Sequence, residues 1–82
     1  MEVVLTEHAR KRCLRRRIQT EWIAAILDYP ARTENDDDDI TLAHALRAIP
    51  ERNFRVLRVI YNETVDPVAV VTAYFDDETA DL

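Results

Sequence analysis

Apolar positions along the chain change period from four to two as it runs from its N-terminal to its C-terminal half. The clearest block is residues 55–76, RVLRVIYNETVDPVAVVTAYFD. Val56, Leu57, Val59, Ile60 and Tyr61 make one run, and Val68, Val70, Val71, Tyr74 and Phe75 make a second. Branched and aromatic residues in short runs predict two sheet strands. Residues 62–67 lie between them and carry Asn62, Asp66 and Pro67, which favour a turn. Upstream, residues 3–5 predict a short first strand. Thr6 then stands as an N-cap with Glu7 beside it, complementing the positive end of a helix over about residues 7–17. Ala9, Cys13 and Leu14 give that helix a narrow apolar stripe. Thr20 is a second cap candidate, ahead of a helix over residues 21–29. Trp22, Ile23, Ile26 and Leu27 form its buried stripe, with Trp22 as a core anchor. Pro30 stops it.

Residues 31–39, ARTENDDDD, predict a solvated loop with at most a short extended start. Residues 40–49 fit two patterns. Leu42, Ala45, Leu46 and Ile49 suit a helical stripe, and local propensity favours helix. Ile40, Leu42, His44, Leu46 and Ala48 suit strand alternation. The strand is preferred, because an isolated two-stranded ribbon is marginal in water and a hairpin of 41–49 with 54–62 adds a third strand. The chain has no glycine, which excludes a P-loop, a dinucleotide fingerprint and a nucleophile elbow. Its 82 residues predict a single domain, with an ordered core over about residues 3–76 and a frayed acidic end.

Charge sharpens this picture. The formal net charge is −5, yet residues 10–17, RKRCLRRR, hold six of the 11 lysines and arginines and no acid. A concentrated basic helix of this kind can serve as a local phosphate site, with Lys11, Arg15 and Arg16 as the expected RNA contacts. The competing reading pairs the basic block with the aspartates, within one copy or across a homodimer. Arg58 stands out because a cation among valines costs free energy unless it meets solvent or a partner. The single cysteine, Cys13, excludes a disulfide framework and reads as a small core residue. A zinc site from His8, Cys13 and His44 lacks paired-ligand spacing, so neither metal nor cofactor is expected. No basic region precedes an apolar stretch at the start, and no apolar run is long enough to span a bilayer. A cytoplasmic protein without membrane association is the expectation.

His8-Ala-Arg-Lys-Arg12 opens a helix, and Tyr29-Pro30 ends the next. Arg55-Val-Leu-Arg58-Val-Ile-Tyr61 and Val70-Val-Thr72-Ala-Tyr74-Phe-Asp76 follow as strands. In this order and spacing, over about residues 5–76, the chain resembles the small bacterial family called domain of unknown function 4258, which is similar to RelE-like toxins. The resemblance implies an α+β fold, with two N-terminal helices packed on a small antiparallel β-sheet and a strand at 41–49. It implies a metal-independent endoribonuclease acting by 2′-hydroxyl attack on phosphate, silenced by an antitoxin-like protein. By that analogy His8 or Arg12, with Arg58, hold phosphate and stabilise the charge that develops on phosphorus. Thr72 or Tyr74 positions the attacking hydroxyl, and His44 serves as general acid or base. The alternative is a non-catalytic protein- or RNA-binding module of the same fold.

Overall fold

The computed structural model describes residues 2–79 and Leu82. The elements in chain order are β1 (Val3–Leu5), α1 (Glu7–Arg15), α2 (Thr20–Asp28), β2 (Arg32–Asn35), β3 (Leu42–Ile49), β4 (Arg55–Asn62) and β5 (Val68–Phe75). A short 3-10 turn, Pro50–Arg52, joins β3 to β4. The fold is α+β, with one five-stranded sheet ordered β1-β5-β4-β3-β2. The sheet is mixed rather than antiparallel as expected, because β1 runs parallel to β5. Strands β2 to β5 follow one another antiparallel, and the remaining edge of β5 receives the N-terminal strand. A parallel pair needs a long connection, and here the connection is the rest of the molecule.

Of residues 40–49, Leu42–Ile49 form strand β3, against the helix-favouring local propensity. Pairing on both sides, with β2 and β4, overrides that propensity. The loop expected over 31–39 is only half a loop. Residues 32–35 form the edge strand β2, whose sequence RTEN has no apolar residue to betray it. Polar, short edge strands of this sort resist pairing with other chains. The acidic end is not free either: Asp76 and Asp77 are ion-paired to β4, while Asp81 lies outside the described residues.

One face of the sheet carries Ala45, Leu57, Val59, Val70 and Ala73. Ala9 and Cys13 of α1 and Ile23, Ile26 and Leu27 of α2 pack against them. Trp22 is partly buried against this core, its ring edge-on to Phe75 at 6.4 Å. Leu14 does not join the stripe. It is 80% exposed, since it lies a hundred degrees around α1 from Cys13. The buried Cys13 thiol is pushed up from its ordinary pKa by desolvation, against a smaller opposing effect of Arg16, as suits an inert core residue.

Thr6 caps α1 as expected, its hydroxyl oxygen accepting from the Ala9 N–H at 3.1 Å. The helix ends at Arg15, two residues short of the expected end. The Ile18 N–H donates to Cys13 O at 2.9 Å and the Arg17 N–H to Leu14 O at 3.2 Å. These two bonds define a Schellman cap, with Ile18 folded back into the core beside Cys13. The cap needs a left-handed residue, and Arg17 supplies it at φ 58°. Glycine is the usual residue there because a Cβ is strained at positive φ. Replacing Arg17 by Gly is therefore expected to stabilise the fold by about 1 kcal/mol, roughly 4–8 °C in a domain of this size. A thermal melt showing an unchanged or lowered Tm for Arg17→Gly counts against the strained cap.

Candidate functional site

Strand register organises the sheet face turned away from the helices. Arg32 of β2 pairs with Leu46 of β3, Leu46 with Arg58 of β4, and Arg58 with Tyr74 of β5. The adjoining row runs Glu34, His44, Ile60 and Thr72. Leu57 and Val59 face the helices, so alternation turns Arg58 to the opposite side. Its side chain is only 11% exposed, and such a charge needs partners.

The partners come from three segments. Arg58 Nε donates to Asp76 Oδ2 at 2.9 Å, and Nη1 donates to Glu34 Oε1 at 2.9 Å. Nη1 also donates to His44 Nδ1 at 2.8 Å. With Nδ1 an acceptor, the imidazole proton sits on Nε2 and is donated to Asp36 Oδ1 at 2.7 Å. Asp36 is held in turn by the Asp38 and Asp39 N–H groups. Arg32 closes the cluster, with Nη2 at 3.0 Å from Glu34 Oε2. Asp76 further accepts from the Thr79 hydroxyl and the Glu78 N–H. No buried side-chain polar atom among the described residues lacks a partner.

The electrostatics follow from these contacts. Burial lowers the Arg58 pKa, but its hydrogen bonds to Glu34 and Asp76 outweigh that and raise it. Glu34 is lowered chiefly by the hydrogen bond from Arg58. Asp36 is lowered by His44 and then by the two backbone N–H groups. Burial pushes Asp76 up, yet the bonds from Arg58, Thr79 and Glu78 hold it below its ordinary value. Glu34, Asp36 and Asp76 set three negative charges against Arg58 and Arg32, so the cluster is slightly acidic and both its arginines are already neutralised.

Four residues singled out from sequence share this face: His44, Arg58, Thr72 and Tyr74. Five do not. His8 and Arg12 belong to α1, packed on the other side of the sheet, so a site joining them to Arg58 does not form. Lys11 sits 3.5 Å from Glu7 in an exposed pair worth little. Arg15 is exposed, and Arg16 turns to the edge of β5, where Nη1 donates to Ala73 O at 2.7 Å. Glu34, Asp36 and Asp76 were not singled out. The charge of Arg58 demanded a carboxylate, but with 16 acids in the chain the sequence could not say which. Among the described residues, no three His, Cys, Asp or Glu side chains converge as metal ligands, and no helix is long and apolar enough to cross a membrane.

The molecule is thus a small α+β protein with a self-neutralised polar cluster on one sheet face and a basic helix behind the other. The family profile described as "Domain of unknown function (DUF4258)" matches residues 5–75, and the chain belongs to that family. No curated protein and no solved structure matches it.

The lowered carboxylates give the cluster a pH signature. A depressed folded-state pKa contributes stability that is complete above the ordinary carboxylate value of about 4 and is lost as pH falls below it. Arg58→Leu strands the carboxylates and is expected to cost about 2 kcal/mol at neutral pH, below the range for a fully buried pair since Glu34 keeps water contact. The Tm gap between parent and Arg58→Leu should then narrow as pH drops from 7 toward about 3. Parallel Tm curves across that range would show that Arg58 does not set the carboxylate titrations.

Proposed function

We propose that the chain is a non-catalytic RNA-binding module in which α1 grips the phosphate backbone. The observation that carries this reading is the pairing status of the arginines. Among the described residues, the side chains of Arg10, Arg12, Arg15 and Arg17 have no carboxylate partner. Every cation on the far face of the sheet has one: Arg58 meets Glu34 and Asp76, and Arg32 meets Glu34. Guanidinium forks match phosphate oxygens better than lysine does. The sheet keeps the acidic cluster on the opposite side from the helix, and salt screening over about 8 Å further mutes its repulsion of a polyanion.

The RelE-like resemblance suggests a second reading, metal-independent cleavage of RNA by 2′-hydroxyl attack. One observation favours it. A carboxylate, an imidazole and a guanidinium adjoin in Glu34, His44 and Arg58, which are a proton acceptor, a donor and a fixed positive charge. Against it, both imidazole nitrogens are engaged and Arg58 is already paired with carboxylates. A phosphate placed there would meet three negative side chains.

One experiment addresses both. Short single-stranded RNA is titrated with the protein by fluorescence anisotropy across a salt series, and the RNA is then run on a denaturing gel. Saturable binding that weakens with salt, with the RNA intact, is expected. Each phosphate contact contributes a slope of about −0.7 in log K against log salt, so Arg10→Ala/Arg12→Ala/Arg15→Ala should flatten the slope by about 2. Absence of salt-dependent binding sinks the module reading. Cleavage that disappears in His44→Ala replaces it with the ribonuclease.

A further inference from the structure

The outer edge of β5 is only half covered. β1 pairs with Val68, Ala69 and Val70, and the Thr6 N–H adds one bond to Val70 O. Beyond that point a recess of about 300 Å³ opens, lined by Arg16, Arg52, Arg55, Tyr74 and Phe75. Three arginines and two aromatic residues line it, although their positions are scattered over the sequence: Phe75 turns to the helix side of β5, and Tyr74, one residue before it, to the other face beside the open edge.

The three arginines are not equivalent. Arg55 is neutralised by Asp77, with Nε to Oδ1 and Nη2 to Oδ2 both at 3.0 Å. Arg16 and Arg52 bond instead to neutral backbone oxygens, Arg16 to Ala73 O at 2.7 Å and Arg52 to Arg17 O at 3.2 Å. A guanidinium has five donors, and these bonds use one each. Neither has a carboxylate partner among the described residues. Arg52 and Arg55 also lie over the Phe75 ring, at 4.9 and 4.6 Å from its centroid. The backbone bonds and the ring hold the guanidiniums in place without cancelling their charge, so little ordering remains when an anion binds. A recess this size is at the small end of ligand sites, which begin at about 300 Å³, and exceeds the needs of a lone phosphate.

We propose that this recess is a subsite for one nucleotide, with Arg16 and Arg52 on its phosphate and its base laid across the open edge of β5 against Tyr74. The proposal rests on the RNA-binding reading and adds to it the place where a single residue of the strand is seated. Aromatic side chains beside arginines hold unstacked bases in single-strand binders. The alternative for Arg16 and Arg52 is mechanical: they tie α1 and the β3–β4 turn to the sheet, which needs no ligand.

The test is a titration of the whole chain with adenosine monophosphate, adenosine and inorganic phosphate in separate arms. Backbone amide shifts are one readout. Fluorescence of Trp22, the only tryptophan, is the other, since its ring touches Phe75 edge-on. Saturable binding of the monophosphate is expected, with phosphate weaker and adenosine not saturating, and with shifts centred on residues 52–55 and 73–75. Arg16→Lys/Arg52→Lys keeps the charge and the tether but loses the forks, and should weaken the monophosphate about tenfold or more. Tyr74→Leu should bring its affinity down to that of phosphate. Equal binding by parent and double-lysine variant overturns the subsite, as do shifts confined to α1 or phosphate binding as tightly as the monophosphate. RNA binding without monophosphate binding removes the subsite and leaves the module. Monophosphate binding to a chain that ignores RNA keeps the recess as a nucleotide site and removes the module.

Discussion

One partly buried charge shapes half of this molecule. Arg58 lies in the middle of the sheet, nearly covered, where a lone guanidinium is untenable. Its hydrogen bonds gather the C-terminal segment through Asp76, the edge strand through Glu34 and the aspartate loop through His44. Three stretches with little apolar residue of their own are thereby fixed to the sheet. Removing Arg58 leaves Asp76 and His44 partly covered and short of a partner, so the three segments are coupled through it.

The same arrangement segregates charge. The far face of the sheet spends its cations on its own carboxylates, and the helix side keeps arginines in excess. A net charge of −5 therefore misdescribes what a partner meets on approaching α1. Fixed and unneutralised guanidiniums continue from α1 to the β5 edge through Arg16 and Arg52, beside Tyr74 and Phe75. Two ordinary structural tasks, ending a helix and closing a hairpin, bring these side chains there. The chain does both without glycine: Arg17, Asn53 and Phe54 all carry positive φ at those junctions.

Much of the fold was legible in the chain. The cap at Thr6, the stop before Pro30, the buried stripe of α2 and the two C-terminal strands follow from side-chain shape and period. The ambiguity of residues 40–49 was real, because apolar spacing there satisfies both periods and only pairing with two neighbours decides it. β2 was illegible because an exposed polar edge strand has no hydrophobic pattern. Of the candidate residues, His44, Arg58, Thr72 and Tyr74 share a face, while His8 and Arg12 were separated from them by the thickness of the sheet. A helix start motif says nothing about which side of a sheet the helix will cover.

By itself the sequence determined local matters: most of the helices and strands, where the first helix begins, and that the cation at position 58 needs solvent or a partner. Those depend on contacts within a few residues and on the free energy of one side chain in a given solvent. The tertiary structure alone decided that β1 runs parallel to β5, which of many acids answer Arg58, and that Arg16, Arg52 and Tyr74 meet at one edge. These depend on strand register and chain direction, which join residues far apart in sequence through backbone hydrogen bonds that all residues but proline make alike.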